Sequence, residues 1–168
     1  MKEIFEYGPT VLRWIFIALG GFTTVMLVLG AIRGVIPVLW RLGRSLHNRK
    51  IALYSESNGP SLKTMLTDSK LFKEKNIHII GKEEISKGLN YSMMIIYYPD
   101  FKESIKEVIR HKRDEDSLIV YAPRSEGSIK DEILNMINKQ RNSIIVNMRG
   151  RLLNDVLTAM ITTNYGKK

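Results

Sequence analysis

The sequence predicts an α/β protein: an N-terminal transmembrane helix followed by a five-stranded parallel sheet covered by helices on both faces. Three observations predict it. Residues 14–32 form a 19-residue run without a charge, close to the roughly 20 apolar residues a helix needs to cross a bilayer core of about 30 Å. From residue 51 onward, five short apolar runs alternate with segments of helical apolar spacing, the pattern of a parallel sheet buried on both sides. The 168 residues suffice for one folded domain plus an appendage, not for two domains of typical size.

The N-terminal run is bracketed by Arg13 and Arg33, long cations that can snorkel from helix ends to the interface. A buried core helix is the alternative, but it would need apolar partners on every side, more than the remaining domain can supply. A signal peptide has an h-region of about 7–15 residues and a small-x-small cleavage site. This run is longer, and the best site, before Ile32, puts Leu29 where a small residue is wanted. An uncleaved anchor is therefore expected. After the run come Arg33, Arg41, Arg44, Arg49 and Lys50, with no acid before Glu56, whereas Lys2 and Arg13 are offset by Glu3 and Glu6. The positive-inside rule then places the C-terminal side in the cytoplasm, and the chain in the inner membrane as a single-pass protein.

Residues 34–49 are basic and amphipathic, with Val35, Ile36, Leu39 and Trp40 beside Arg41 and Arg44. Pro37 can kink or restart a helix here. The segment suits a helix along the cytoplasmic headgroup layer, with Trp40 as an interfacial anchor and anionic lipid as partner; a plain basic linker is the simpler account. Gly20 and Thr24, and Gly30 and Gly34, place small residues one turn apart, a spacing that lets helices approach closely and keeps a homo-oligomer open.

The domain elements follow in order. Residues 51–55 are a short apolar strand ended by a Ser-Asn-Gly-Pro turn cluster, and residues 61–72 carry Leu62, Met65, Leu66 and Phe72 at helical spacing. Residues 77–80 are the second strand, ended by Gly81, and residues 82–90 a short helix or loop. Residues 93–98 are the third strand, stopped by Pro99 and Asp100, and Phe101, Ile105, Val108 and Ile109 share one face of a helix over residues 101–111. The fourth strand covers residues 118–122, and a helix over 128–140 follows through Ile129, Ile133, Leu134 and Ile137. Residues 143–148 are the fifth strand, and Leu152, Leu153, Val156, Leu157, Met160 and Ile161 form the clearest helical stripe. Residues 164–168 are expected to fray. The organisation is a tail over 1–13, a membrane helix over 14–33, a juxtamembrane segment over 34–49 and a cytoplasmic α/β domain over 50–168, a doubly wound domain of flavodoxin type with strand order 2-1-3-4-5.

These βα units resemble receiver and TIR domains, and the small Rossmann-like sensors that accompany membrane segments in prokaryotic signalling and antiviral effectors. The resemblance implies a signalling role, and for a TIR-type NAD or nucleotide hydrolase it implies a pocket glutamate near the third strand, where Glu83, Glu84 and Glu103 fall. A receiver would need an acidic pair, a phosphoacceptor Asp and a Lys ending strand five; Asp100 stands beyond Pro99, the pair is missing, and Met148 and Arg149 occupy the lysine region. Asp100 is then more simply a helix start and cap.

Composition narrows the chemistry. No cysteine means no disulfide, thiolate zinc site or thiol catalysis. The three histidines, His47, His78 and His111, are too dispersed for a metal centre. A G-x-G-x-x-G fingerprint, a Walker loop and a G-x-S-x-G elbow are all absent. No catalytic residue, cofactor or metal is expected, and the enzyme reading is the weaker one. Of the net charge of +9, the first 44 residues carry +3, and the rest is interleaved with acids; no nucleic acid is expected as a partner.

Ligands of open α/β sheets bind beyond the carboxyl ends of the strands. That rule selects Ser55, Ser57 and Asn58 after the first strand, Arg124, Ser125 and Ser128 after the fourth, and Arg149, Gly150 and Arg151 after the fifth. Two guanidiniums and exposed helix N–H groups there suit a phosphate or nucleotide. The plainer account makes Ser125 and Ser128 N-caps and Gly127 a turn. The expected function is a membrane-anchored sensor or effector that binds a small anionic ligand such as a nucleotide, or a protein partner, and signals through self-association. The alternatives are the TIR-type hydrolase and an adaptor without ligand.

Overall fold

The computed structural model describes the backbone of residues 2–163 and, within it, the side chains of all but residues 2–9, 41 and 44–47. The expected fraying of residues 164–168 lies outside the described residues, as do the side chains of Arg41 and Arg44. The chain divides into two compact units, Met1–Arg41 and Leu42–Lys168.

The first unit is helical throughout its described length. Helix α1 (Lys2–Asn48) is 47 residues long, about 70 Å, and runs through Pro37 without interruption. Among the described residues it holds the one helix segment, Thr10–Trp40, long and apolar enough to cross a membrane. Every residue from 10 to 40 is exposed, which a core helix would not be.

In the second unit, five strands among the described residues form one all-parallel sheet: β1 (Ile51–Tyr54), β2 (Ile77–Ile80), β3 (Met93–Tyr97), β4 (Ser117–Tyr121) and β5 (Ser143–Val146). Their order is β2-β1-β3-β4-β5, the expected doubly wound order of flavodoxin-like folds. Ile51 stands opposite both Ile77 and Met93. Between the strands run α2 (Gly59–Asp68), α3 (Ile85–Gly88), α4 (Tyr98–Phe101), α5 (Ile105–His111), α6 (Asp131–Asn138) and, last, α7 (Arg149–Thr162).

The apolar runs are strands because both their faces are covered. One face buries Leu53, Ile95 and Ile119 against Leu62 and Leu66 of α2 and Leu152 and Val156 of α7. The other buries Tyr54, Ile96 and Val120 against Phe101, Ile105 and Val108 beneath α4 and α5, and Ile133 and Ile137 of α6. Tyr54 meets the edge of the Phe101 ring at 5.6 Å between centroids, and its hydroxyl donates to the Ile85 carbonyl at 3.3 Å. The Tyr54 hydroxyl also fills the space where a side chain of Gly88 would stand. Arg49, 1% exposed, donates to Thr163 Oγ1 at 2.7 Å, so the segment entering β1 is fastened to the end of α7.

Four helices differ from the sequence expectation: the first, α2, starts at Gly59 rather than residue 61 and ends at Asp68, short of Phe72. The helix expected over residues 101–111 is two pieces, and the first begins at Tyr98 because Pro99, which has no N–H to satisfy, fits a first turn. Helix α6 starts at Asp131 rather than residue 128, after Gly127 at φ +99°. Its N-cap is Lys130, and no side chain caps it, so neither Ser125 nor Ser128 is the cap. Helix α7 begins at Arg149, which moves Arg149, Gly150 and Arg151 from a loop into a helical turn.

Candidate functional site

The strand order reverses between β1 and β3, where ligands of such sheets usually sit. Here a side chain of the protein occupies that crevice. Asp100, set at the top of β3 by Pro99, accepts from Ser55 Oγ at 3.0 Å and from the backbone N–H groups of Glu56 and Ser57, both at 2.8 Å. Ser57 Oγ donates to its second oxygen at 2.8 Å. Burial pushes the carboxyl up, but the donors from Ser57, Glu56 and Ser55 outweigh it and hold its pKa below the usual value. Asp100 is thus the anchor of the loop after β1 and not the cap of its own helix. The same loop is held from the other side, where Glu56 accepts from the Lys82 backbone N–H at 2.6 Å.

A second linkage runs beside it. Tyr97 donates to Glu126 Oε1 at 2.5 Å, and the Asn58 side chain bonds to the same hydroxyl. The Tyr97 and Tyr121 rings lie 5.9 Å apart. Burial raises the Tyr121 pKa, and nearby Glu126 adds to this against the opposing charge of Arg149. Arg149 itself donates to the Ser61 carbonyl at 3.1 Å and to Ser61 Oγ at 2.7 Å, which fastens the start of α7 to the first turn of α2.

The open space lies further along the carboxyl edge. A cavity of about 450 Å³ is bounded by Ala122, Arg124, Gly127, Ser128, Ile129, Asp131, Leu134, Ile145 and Asn147. Next to it a smaller one of about 100 Å³ shares Arg124, Ile145 and Asn147 and adds Arg151 and Asp155. Arg124 therefore stands between the two, on the 3-10 turn Arg124–Glu126 that Tyr97 holds through Glu126. A third space, of about 220 Å³, lies over Asp100 with Lys82, Lys102 and Glu103 around it.

The nine sequence candidates thus fall into separate groups. Arg124, Ser128 and Arg151 line the two cavities beside β5. Ser55, Ser57 and Asn58 are turned to Asp100 and Tyr97, and Arg149 to Ser61. Ser125 and Gly150 are exposed and line neither cavity beside β5. Sequence reasoning missed Asn147, Ile145, Leu134 and Asp131. Asn147 had a signal, being the first polar residue after an apolar strand; the others read as strand or helix interior. Of the glutamates near β3, Glu84 pairs with Lys87, and Glu103 borders the space over Asp100. Among the described residues no group of three or more His, Asp or Glu is placed to hold a metal ion.

The cavity wall offers an apolar surface at Ile129, Leu134 and Ile145, a cation at Arg124, an amide at Asn147 and a carboxylate at Asp131. The fold and this edge define a flavodoxin-like α/β domain carried by a chain with an apolar N-terminal helix. No protein-family model, curated protein or solved structure matches the chain.

Proposed function

We propose that this is a single-pass inner-membrane protein whose cytoplasmic α/β domain binds a nucleotide-sized anion at the rim of the sheet and signals by changing self-association. The observation that carries the reading is the cavity of about 450 Å³ at the ends of β4 and β5, a volume within the usual range for small-molecule sites. Arg124 and, beyond it, Arg151 suit a phosphate; the apolar wall suits a planar ring, and Asp131 and Asn147 suit the donors of a base or sugar. The basic flank after residue 32 supports the cytoplasmic orientation, and the small residues of α1 support helix pairing.

Calorimetry of the full chain in detergent against mono-, di- and cyclic nucleotides tests it. Saturable heat that Arg124→Ala removes, with a shift in oligomeric mass on ligand addition, is the expected result. No heat from any nucleotide, together with a stable captured protein partner, would favour the adaptor. Turnover of NAD that Glu103→Gln abolishes would make the protein a hydrolase.

A further inference from the structure

The two cavities beside β5 adjoin: they share Arg124, Ile145 and Asn147, so one elongated molecule fits across both. Asp131 lies only on the larger space, Arg151 and Asp155 only on the smaller. The charged side chains here are sorted by partner. Glu126 accepts from Tyr97, Glu132 pairs with Lys106 at 2.6 Å and Arg149 donates to Ser61. Among the described residues Arg124, Asp131, Arg151 and Asp155 make no side-chain hydrogen bond or ion pair. On the turn that carries Arg124 and on α6 and α7, the charged groups without a partner are thus the ones that line the cavities.

The smaller space fixes the anion. Its volume of about 100 Å³ is that of about three waters at about 30 Å³ each, room for one phosphate and not for a chain of two. Arg124 and Arg151 bring two positive charges and Asp155 one negative, a net single positive charge. A phosphate monoester carries about 1.5 to 2 negative charges at neutral pH, and the excess would meet Asp155. A diester carries one and is balanced.

The larger space fixes the base. Ile129, Leu134 and Ile145 wall it with apolar surface, and the Asp131 carboxylate is an acceptor only. Guanine sets a ring N–H beside an exocyclic amine, two adjacent donors that a carboxylate accepts in parallel. Adenine and cytosine set an acceptor beside the amine, and uracil has one N–H between two carbonyls. A site built to accept from such donors discriminates strongly against bases that lack them.

We propose that the two cavities together hold one molecule of cyclic guanosine monophosphate, its base read by Asp131 and its diester held by Arg124 and Arg151 beside Asp155. The proposal rests on the nucleotide reading given above and adds the base and the ester to it.

The test is calorimetry of the full-length chain in detergent against cyclic guanosine, inosine and adenosine monophosphates and against linear guanosine monophosphate. Inosine lacks only the exocyclic amine, and its cyclic nucleotide is expected to bind about tenfold more weakly, the worth of one hydrogen bond to a charged group. Asp131→Ala is expected to erase that difference and leave the cyclic adenosine nucleotide unchanged. The linear nucleotide is expected to bind more weakly than the cyclic one, and Asp155→Asn to narrow the gap. Both acids lie at the surface or half-buried, and the comparisons made on the native chain need no variant. Equal binding of the guanosine and inosine forms, a preference for adenosine, or tighter binding of the linear ester would overturn the proposal while leaving the nucleotide reading intact. No heat from any of the four removes both.

Discussion

Tyr97 Oη donates to Glu126 Oε1 at 2.5 Å, and with the Asn58 side chain on the same hydroxyl it joins the loop after β1, the end of β3 and the turn that carries Arg124. Tyr97 is 2% exposed. Burial, and after it the hydrogen bond to Glu126, push its pKa up to about 12. The hydroxyl is a neutral donor throughout the physiological range.

The pH dependence of that bond has a definite sign. A folded-state pKa raised above the ordinary tyrosine value of about 10 contributes stability that is whole below that value and is lost as pH rises through the folded one. Tyr97→Phe is expected to cost about 1–2 kcal/mol at neutral pH. It should also give a shallower loss of stability between about pH 10 and 12. Denaturation followed by near-ultraviolet circular dichroism of the tyrosines measures both, and an alkaline limb as steep as that of the native chain would refute the assignment.

Asp100 behaves in the opposite sense. Its pKa is held down by the Ser57, Glu56 and Ser55 donors, so its contribution is present above about pH 4 and fades as pH falls through the folded value. Asp100→Ala is expected to cost about 2–3 kcal/mol at neutral pH, with the gap to the native chain closing under acid. Formate, added at millimolar concentration, should raise the melting temperature of Asp100→Ala and leave the native chain unchanged, since only the variant has those donors vacant. A variant indifferent to formate would show that the loop rearranges instead.

Two arginines that look equivalent in the sequence are separated by their partners. Arg124 lines both cavities beside β5, whereas Arg149 is engaged with Ser61. Arg124→Ala is expected to weaken nucleotide binding by about tenfold or more. Arg149→Ala is expected to change it less than about twofold, as befits an exposed residue of separate partner. Calorimetric titration of the two variants distinguishes them; the reverse order would move the site to the start of α7.

Gly88 gives a test of packing alone. A side-chain carbon there collides with the buried Tyr54 hydroxyl and ring, so Gly88→Ala is expected to destabilise the domain by about 1–3 kcal/mol. Combining it with Tyr54→Leu should recover part of the loss relative to the sum of the single changes. Simple additivity in urea denaturation would mean that the two residues do not touch.

The strands were legible because their apolar runs answer to one demand, burial on both faces, and 93–97 or 117–121 can do little else. Helix starts were harder to read. Pro99 and Gly127 act through local backbone geometry, so α4 begins before Phe101 and α6 after Ser128. The site expectation rested on topology alone: it pointed to the carboxyl edge, where Arg124, Ser128 and Arg151 line the cavities beside β5. The pairing of Asp100 with Ser57, 43 residues away, leaves no local periodicity, and neither does that of Arg149 with Ser61, 88 residues away. Ile129, Leu134 and Ile145 carry the same apolar signature whether they fill a core or wall a cavity.

The crevice at Asp100 has one more meaning. Two amides and two hydroxyls are gathered there in the manner of an anion receptor, and the molecule has supplied its own permanent guest. With that berth taken, the open space described above lies outward, at the ends of β4 and β5, and β5 is the last strand of the sheet, whose far side has no neighbouring strand. A visitor lodged there touches the boundary of the fold rather than its centre, where small shifts in the edge are open to whatever lies next to it.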